Sequence, residues 1–228
     1  MGDIYLMNQL EILYEDNHVI VVFKPANVLS QADSTGDKDM LTLVKEYIKV
    51  KYHKPGNVYL GLVHRLDRPV QGVMVFAKSS KAAARLTKQI QNHEFQKHYL
   101  AIINGIIPEK KGEFHDYLEQ HENGNTVVTD GSYGKESILQ YQVLEEKEHY
   151  SLVEIALITG RHHQIRVQFA SRGYPLVGDQ RYGIQDNKQI ALCSYQLSFL
   201  HPITKERLTF TRYPDKKEIW GLFGDKLC

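Results

Sequence analysis

Short apolar runs separated by turn-forming residues recur along this chain, and the pattern predicts a fold rich in strands. Neighbouring runs are often joined by a few polar residues, which is typical of antiparallel hairpins. The predicted strands are 12–14, 19–23, 58–63, 73–77, 95–104, 138–144, 151–159, 190–199 and 207–211. The polar region from Glu109 to Glu136 is interpreted as a β-excursion that turns at Asn123 and Gly124.

Apolar residues at helical spacing interrupt the strands at a few places. Leu41, Val44 and Ile48 share one face of a predicted helix over 40–51. Further helices are predicted from Ser79 or Ser80 to about 92, over 162–171 and around Trp220. Because strands and helices do not alternate as strand–helix–strand units, the expected fold class is α+β, with a mixed, mostly antiparallel sheet and flanking helices.

Composition narrows the class of protein. Of the 228 residues, 42% are apolar and 24% are charged, as in an ordinary soluble globular protein. The formal net charge of +1 disfavours a strongly basic arm or tail that binds nucleic acid. Positive charge gathered along one groove remains compatible with this total.

Cysteine, histidine and terminal patterns disfavour several other classes. Cys193 and Cys228 form no C-x-x-C pair, and none of the 11 histidines has H-E-x-x-H spacing, so we expect neither a disulfide framework nor a metal. Residues 1–16 lack the apolar core of a signal peptide, and no stretch has membrane-spanning length. A reducing cytoplasm is the expected location.

The most informative segment is HRLDRPVQG, residues 64–72, between two predicted strands. Its single carboxylate, Asp67, has cationic neighbours on both sides, and Pro69 and Gly72 indicate a tight, rigid loop. Neighbouring positive charge lowers the pKa of an aspartate and favours its charged form, which suits a base or a nucleophile. A surface turn whose charges are merely solvated is the alternative interpretation.

Two further segments carry candidate chemistry. In QKHY, residues 96–99, Tyr99 would face a cleft, where a phenol can stack on a base or handle a proton; the alternative is an ordinary strand with one exposed face. In GRHHQIR, residues 160–166, a helix N-terminus would offer backbone N–H groups, with Arg161 as a phosphate ligand. Arg166 would share a helix face with His162, four residues earlier, although a solvated helix start is also possible.

In this order along the chain, HRLDRPVQGVMVFAK, QKHYLAIING, GRHHQIRVQFA and GDQRYG resemble the motifs of the RluA-type family of RNA pseudouridine synthases. The segments YEDNHVIVVFKPANV and LSFLHPIT are similar to the first and last motifs of that family. The resemblance extends from about Tyr14 to Phe210. It implies the pseudouridine synthase catalytic fold with a central active-site cleft, in a single catalytic domain over 1–228. No N-terminal S4 domain is expected, because the few residues before Ile12 cannot form one.

The resemblance implies a cofactor-free isomerase that breaks the uridine N1–C1′ bond, turns the base and joins C5 to C1′. Asp67 would be the essential carboxylate, Arg166 would pair with it, and Tyr99 would stack on the target base. Arg65 would fill the space that the flipped base leaves in the RNA. The sequence leaves open whether Asp67 attacks C1′, attacks C6 or removes a C2′ proton.

The expected partner is structured ribosomal or transfer RNA, bound by a monomer. Besides Arg65, the candidate RNA contacts are cationic or potentially cationic residues in or near the motifs, namely His64, Arg161, Lys24, Lys78 and Lys97. Contacts to phosphates predict an affinity that falls steeply with salt. The excursion from Glu109 to Glu136 is a candidate RNA-gripping element.

This chain departs from the family pattern at three places. Val70-Gln71 stands where a small hydroxyl pair is usual, His162 stands where threonine is usual, and Cys193-Ser194 stands where a His-Ala step is frequent. These changes concern the fit of the substrate more than the trio of Asp67, Tyr99 and Arg166, which is intact.

Two other functions compete with the isomerase. One is a catalytically inactive RNA-binding protein on the same scaffold, which the loss of any member of the trio would favour. The other is a hydrolase in which Asp67 acts on a nucleoside or glycan together with a second carboxylic acid. Glu94 and Asp179 are the candidates for that acid.

Overall fold

Residues 10–228 are described by the structure, a computed structural model. Across them the strands are β1 Glu11–Glu15, β2 Val19–Lys24, β3 Gly61–Leu62, β4 Gln71–Ala77, β5 Gln96–Asn104, β6 Lys111–Gln120, β7 Thr126–Thr129, β8 Lys135–Lys147, β9 Tyr150–Leu157, β10 Leu192–Leu200 and β11 Arg207–Thr211. The helices are α1 Met40–Lys51, α2 Ser80–Gln91, α3 Gln164–Ala170 and a 3-10 helix, Glu218–Lys226. The many strands, accompanied by a few helices, confirm the predicted α+β class.

The chain divides into two compact units, and unit 1 comprises the described residues up to Phe95 together with Gln196–Arg212. Within it β1, β2 and β4 pair antiparallel in this order, and β3 adds to β4. All six residues of β2 are buried, as are six of the seven in β4, because both sequences are almost wholly apolar. The register pairs Lys24 with Gly72, so that the end of β2 lies beside the loop that carries Asp67.

Side-chain caps fix where the two helices of unit 1 begin. The Asp39 carboxylate accepts a hydrogen bond from the Thr42 backbone N–H at the start of α1. The Ser79 hydroxyl does the same for the N–H of Ala82 at the start of α2. Of the two starts predicted for α2, the structure selects Ser79 as the cap.

Unit 2 comprises Gln96–Tyr195 and Tyr213–Cys228. Its strands β5, β9, β8, β6 and β7 form consecutive antiparallel pairs in this order. The predicted β-excursion is confirmed as the β6–β7 hairpin, closed by a bond from the Gly124 N–H to the His121 carbonyl oxygen at 2.9 Å. Six of the seven residues of α3 are buried within this unit.

Three predicted boundaries are wrong. The strand expected over 58–63 contains only Gly61 and Leu62, because β4 ends at Ala77, which already pairs with Gly61. The helix expected over 162–171 begins at Gln164, because His163 has a left-handed backbone with φ of 52°. The last helix is a 3-10 helix with a kink at Phe223.

Among the described residues, none of the helices combines the length and the apolar composition that crossing a membrane requires. Cys193 is buried, Cys228 is exposed, and neither is part of a disulfide. The prediction for the N-terminal segment falls largely on residues 1–9, which lie outside the described residues.

Glu15 is the centre of an ionic network in unit 1. Its carboxylate accepts hydrogen bonds from Lys51 at 2.6 Å and Lys78 at 2.7 Å, and from the hydroxyls of Tyr52 and Tyr47 at 2.9 and 3.2 Å. Burial by itself raises the pKa of Glu15, but these donors outweigh it and lower the pKa to about 2. The RNA contact predicted for Lys78 is not supported, since its ammonium is engaged here and its side chain is 11% exposed.

Glu15→Gln should destabilise the protein at neutral pH by about 1–3 kcal/mol, because charge-assisted hydrogen bonds are lost. The pKa of Glu15 is depressed in the folded state, so its contribution is complete above the ordinary glutamate value and is lost as pH falls toward 2. Urea unfolding should therefore show a difference between wild type and variant that narrows from about pH 5 to about pH 3. A difference independent of pH would contradict this account of Glu15.

Candidate functional site

The Asp67 loop connects β3 to β4 in unit 1 and is fixed by backbone contacts. The Val70 N–H donates to the Asp67 carbonyl at 3.0 Å, which closes a turn. The buried hydroxyl of Ser30 donates to the Leu66 carbonyl at 2.7 Å and accepts from the Leu66 N–H at 3.0 Å. Asp67 is half-buried, so the residue keeps partial access to solvent within a loop whose backbone is fixed on both sides.

Lys24 supports the same loop from the end of β2. Its side chain is completely buried, and Nζ donates to the carbonyls of Pro25, Val28 and Arg68 at 3.0, 2.6 and 3.0 Å. Burial lowers the pKa of Lys24 to about 7; the charge of Asp67 opposes this shift and that of Arg68 adds to it. The RNA contact predicted for Lys24 is wrong, because a buried ammonium cannot reach a phosphate; Lys24 instead ties β2 to the loop.

The cationic residues around Asp67 have different surroundings. His64 is half-buried, and its Nε2 accepts a hydrogen bond from the Val75 N–H at 3.1 Å, so this nitrogen carries no proton and serves the fold rather than RNA. Arg65 is exposed, as a residue that enters RNA must be. Arg68 is also exposed and pairs with Asp37 at 2.6 Å.

Tyr99 and Lys97 lie on β5 in unit 2, where the period of two places them on the same face of the strand. Tyr99 is 6% exposed, so its ring is rigidly held. Burial, and secondly the positive charge of Arg161, lower the pKa of Lys97 to about 8. This strand therefore carries the buried phenol of Tyr99 and the ammonium of Lys97, which loses its proton near pH 8.

Arg166 is held by the carboxylate of Asp179, a pairing that the sequence does not predict. Its Nε and Nη2 donate to the two oxygens of Asp179 at 2.8 and 2.7 Å, and both side chains are buried. This two-point contact fixes the plane of the guanidinium. The pairing of Arg166 with Asp67 that the resemblance implies stays a prediction.

Backbone donors keep Asp179 charged. Burial by itself raises its pKa, but Arg166 and the N–H groups of Arg181 and Tyr182, at 3.0 and 3.1 Å, lower the pKa below the ordinary aspartate value. Gly178 makes this loop possible for two reasons. Its φ of +72° lies in the left-handed region that favours glycine, and an added Cβ would lie 2.2 Å from the Gln189 carbonyl oxygen. The first glycine of the GDQRYG motif is therefore required by backbone geometry, which the sequence alone does not show.

The segment before α3 differs from the predicted helix start. His162 precedes the helix, so it does not share a helical face with Arg166, and α3 has only seven residues. Arg161 is exposed, and its Nε donates to the Glu136 carbonyl at 2.9 Å. The Gln164 carboxamide organises this turn, since it accepts from the Arg161 N–H at 3.0 Å and donates to the Ile138 carbonyl at 3.1 Å.

The structure disfavours Asp179 as the general acid of the hydrolase alternative. A general acid must carry a proton to donate, whereas Asp179 is held as a carboxylate by an arginine and two backbone donors. Glu94 is exposed in unit 1. Within residues 10–228, histidine, cysteine, aspartate and glutamate side chains do not gather in any group of three or more that could hold a metal ion.

Comparisons with known proteins agree on one family. A family model described as RNA pseudouridylate synthase matches residues 18–171, which include Asp67, Tyr99 and Arg166. An RNA pseudouridine synthase of Bacillus subtilis, named YhcT and described as uncharacterized, is 35% identical over 206 residues that cover 87% of this chain and 66% of that protein. Ribosomal large subunit pseudouridine synthase D of Haemophilus influenzae is 31% identical over 218 residues, covering 87% and 65%.

A solved structure supports the fold. Human RNA Pseudouridylate Synthase Domain Containing 4 superimposes with a TM-score of 0.81 at 20% identity, covering 99% of this chain and 97% of that chain. This chain spans about two thirds of the length of the curated relatives that it matches.

Proposed function

This chain belongs to the RluA-type family of RNA pseudouridine synthases, and on that basis we propose that it isomerises specific uridines in structured RNA to pseudouridine. The observation that carries the proposal is the match of the family model, which extends from before Asp67 to beyond Arg166. The rigid environments of the Asp67 loop and of Arg166 support it, because catalysis by charge requires groups that are fixed before the substrate arrives.

The reaction conserves the atoms of the nucleotide. The N1–C1′ bond breaks, the base turns, a C5–C1′ bond forms, and the hydrogen on C5 leaves as a proton while N1 gains one. The Asp67 carboxylate acts on the ribose or the base, the Arg166 guanidinium supplies positive charge to that carboxylate, and Tyr99 stacks on the base. The reaction needs no oxidant, because no net redox change occurs.

A uridine in a folded RNA must leave its stack before these groups can reach it, at a cost of a few kcal/mol. Arg65, which is exposed on the Asp67 loop, is suited to fill the vacated position, since a guanidinium can both stack and form hydrogen bonds. Arg161 and Lys97 are proposed contacts to phosphates. We propose that the active form is a monomer.

Ribosomal RNA is the favoured substrate over transfer RNA. The relatives from Haemophilus influenzae and Buchnera aphidicola are named ribosomal large subunit pseudouridine synthases, and they are 31% and 32% identical to this chain. Since identity at this level does not fix the target uridine, the choice of RNA is part of the test.

The test measures release of tritium from RNA labelled at uridine C5, because isomerisation must free that hydrogen. Unmodified transcripts of large-subunit ribosomal RNA, small-subunit ribosomal RNA and a transfer RNA pool are incubated separately with the purified protein. We expect release from large-subunit RNA that approaches one equivalent for each target site. Release from none of the transcripts, nor from bulk cellular RNA, would reject the isomerase and favour the inactive RNA-binding alternative.

If Lys97 contacts a phosphate, the affinity of the protein for RNA should depend on pH in a particular direction. Its pKa is lowered to about 8, so the ammonium loses its proton as pH rises through that value. The affinity for RNA should then fall about fivefold, because one hydrogen bond contributes about 1 kcal/mol to binding. Lys97→Arg should flatten this dependence, because a guanidinium stays charged. Fluorescence anisotropy with labelled RNA at constant salt measures both proteins.

Lys81→Arg is the control for that titration, since Lys81 is an exposed residue of α2 and the substitution is chemically the same. We expect it to keep the pH dependence of the wild type. Equal pH dependence in wild type and Lys97→Arg would remove Lys97 from the RNA interface.

A further inference from the structure

The tip of the β6–β7 hairpin, residues 124–126, is docked on the segments that hold Arg166. The Thr126 hydroxyl lies 2.9 Å from Nδ1 of His162, just before α3, and the Thr126 N–H donates to the Tyr182 hydroxyl at 2.9 Å. The Arg181 Nη1 donates to the Gly124 carbonyl at 2.7 Å. Thr126 is 3% exposed, so its own two contacts are largely shielded from solvent, whereas the Arg181 contact is exposed.

The residues that hold the tip are the same ones that hold Asp179. The backbone N–H groups of Arg181 and Tyr182 donate to Asp179, whose carboxylate holds Arg166, while their side chains bind the hairpin tip. The Tyr182 hydroxyl also lies 2.7 Å from Nδ1 of His163, and its ring lies 5.2 Å from the Arg166 guanidinium. A continuous set of contacts therefore runs from the tip to Arg166 through two consecutive residues.

The charge of the hairpin region argues against the RNA-gripping role predicted from sequence. Residues 109–136 contain seven acidic residues and three lysines, a formal net charge of −4 with histidine neutral. A segment of this charge is repelled by phosphates rather than attracted to them. Its buried polar tip is consequently better explained by a role inside the protein than by contact with RNA.

We propose that the hairpin tip is a positioning element for Arg166: Thr126, through His162 and Tyr182, fixes the 179–182 loop and the start of α3 in the arrangement that holds the catalytic arginine. This inference rests on the proposed function for the role of Arg166 and deepens it. His162, which the Thr126 hydroxyl contacts, is one of the positions at which the sequence departs from the family pattern. None of these three residues is proposed to touch the substrate.

The test compares Thr126→Val, which removes the hydroxyl at constant shape, with Thr129→Val on the same strand. The Thr129 hydroxyl donates to the Tyr117 and Tyr133 carbonyls, which lie in the hairpin region itself. We expect Thr126→Val to lower kcat for tritium release about five- to tenfold with KM unchanged, because the arginine is less well fixed while RNA binding is untouched. Thr129→Val and the rescue variant Thr126→Ser should retain the kcat of the wild type.

Hydrogen exchange gives a second measurement that does not depend on activity. Thr126→Val removes the hydroxyl contact with His162 and keeps the backbone N–H bond to Tyr182. The Gln164 and Val167 amides at the start of α3, which donate to the Arg161 and His163 carbonyls on either side of His162, should therefore exchange faster, and in Thr129→Val they should exchange as in the wild type. Unchanged exchange in Thr126→Val, or a raised KM with unchanged kcat, would overturn the proposal; the second result would assign the tip to RNA binding. If the wild type released no tritium, the proposed function would fail. Hydrogen exchange alone would then decide whether the hairpin tip fixes the start of α3.

Discussion

Asp67→Asn should abolish release of tritium from C5-labelled RNA, with kcat lowered by about 1,000-fold or more, which corresponds to about 4 kcal/mol of transition-state stabilisation. The amide has nearly the same shape as the carboxylate but has no negative charge and is a far weaker nucleophile and base. The loop should keep its conformation, because the Asp67 backbone carbonyl, Ser30 and Lys24 fix it through contacts that do not involve the side chain of Asp67. RNA affinity, measured by anisotropy, should therefore stay within about threefold of the wild type.

Asp37→Asn is the matched control, because it is the same substitution in a carboxylate that pairs with Arg68 of the loop. That ion pair is exposed on both sides and contributes at most about 1 kcal/mol. The control should keep full activity. Near-native turnover by Asp67→Asn would show that the carboxylate of Asp67 is not essential.

Asp179→Asn should combine a loss of stability with a loss of activity. Removing one partner of a buried ion pair costs about 3–5 kcal/mol, since the buried Arg166 guanidinium loses the charge of Asp179. The remaining folded protein should show a kcat lowered about 10- to 100-fold, because a poorly fixed guanidinium supplies its charge less effectively. Urea unfolding measures the first effect, and tritium release well below the unfolding midpoint measures the second.

Asp186→Asn provides the comparison for Asp179→Asn, since Asp186 follows in the same loop region and bonds Lys188 and Gln180 instead of Arg166. It should lower neither kcat nor stability by a comparable amount. If Asp179→Asn lost stability but kept the kcat of the wild type, Asp179 would support the fold without positioning Arg166.

Much of the fold was predictable because its strands are continuous apolar runs. Val19–Lys24 and Gln71–Ala77 are recognisable from composition alone, and the rigid loop before the second of them follows from Pro69 and Gly72. The location of Asp67 between strands could therefore be predicted correctly. A strand that depends on its partner was not predictable: the apolar run at 58–63 pairs over only two residues because β4 ends opposite Gly61.

The side-chain partners at the site could not be predicted from the sequence, because they come from segments that are distant along the chain. Arg166 and Asp179 are thirteen residues apart and lie on a helix and a loop, so no local period links them. Lys24 resembles a surface cation in the sequence, and only tertiary structure shows that three carbonyls surround its ammonium. Motif order located the important segments, whereas the partner of each side chain depended on packing.

The division of the chain has a consequence for biosynthesis. Unit 1 is interrupted between Phe95 and Gln196, and its second piece supplies Phe199, which stacks on Phe95, and Phe210, which packs on Tyr14. A ribosome adds about 5–20 residues per second, so the intervening hundred residues take about 5–20 s to make. During that interval the nascent N-terminal piece lacks these aromatic partners, and chaperones that shield apolar surface have their longest opportunity to bind it.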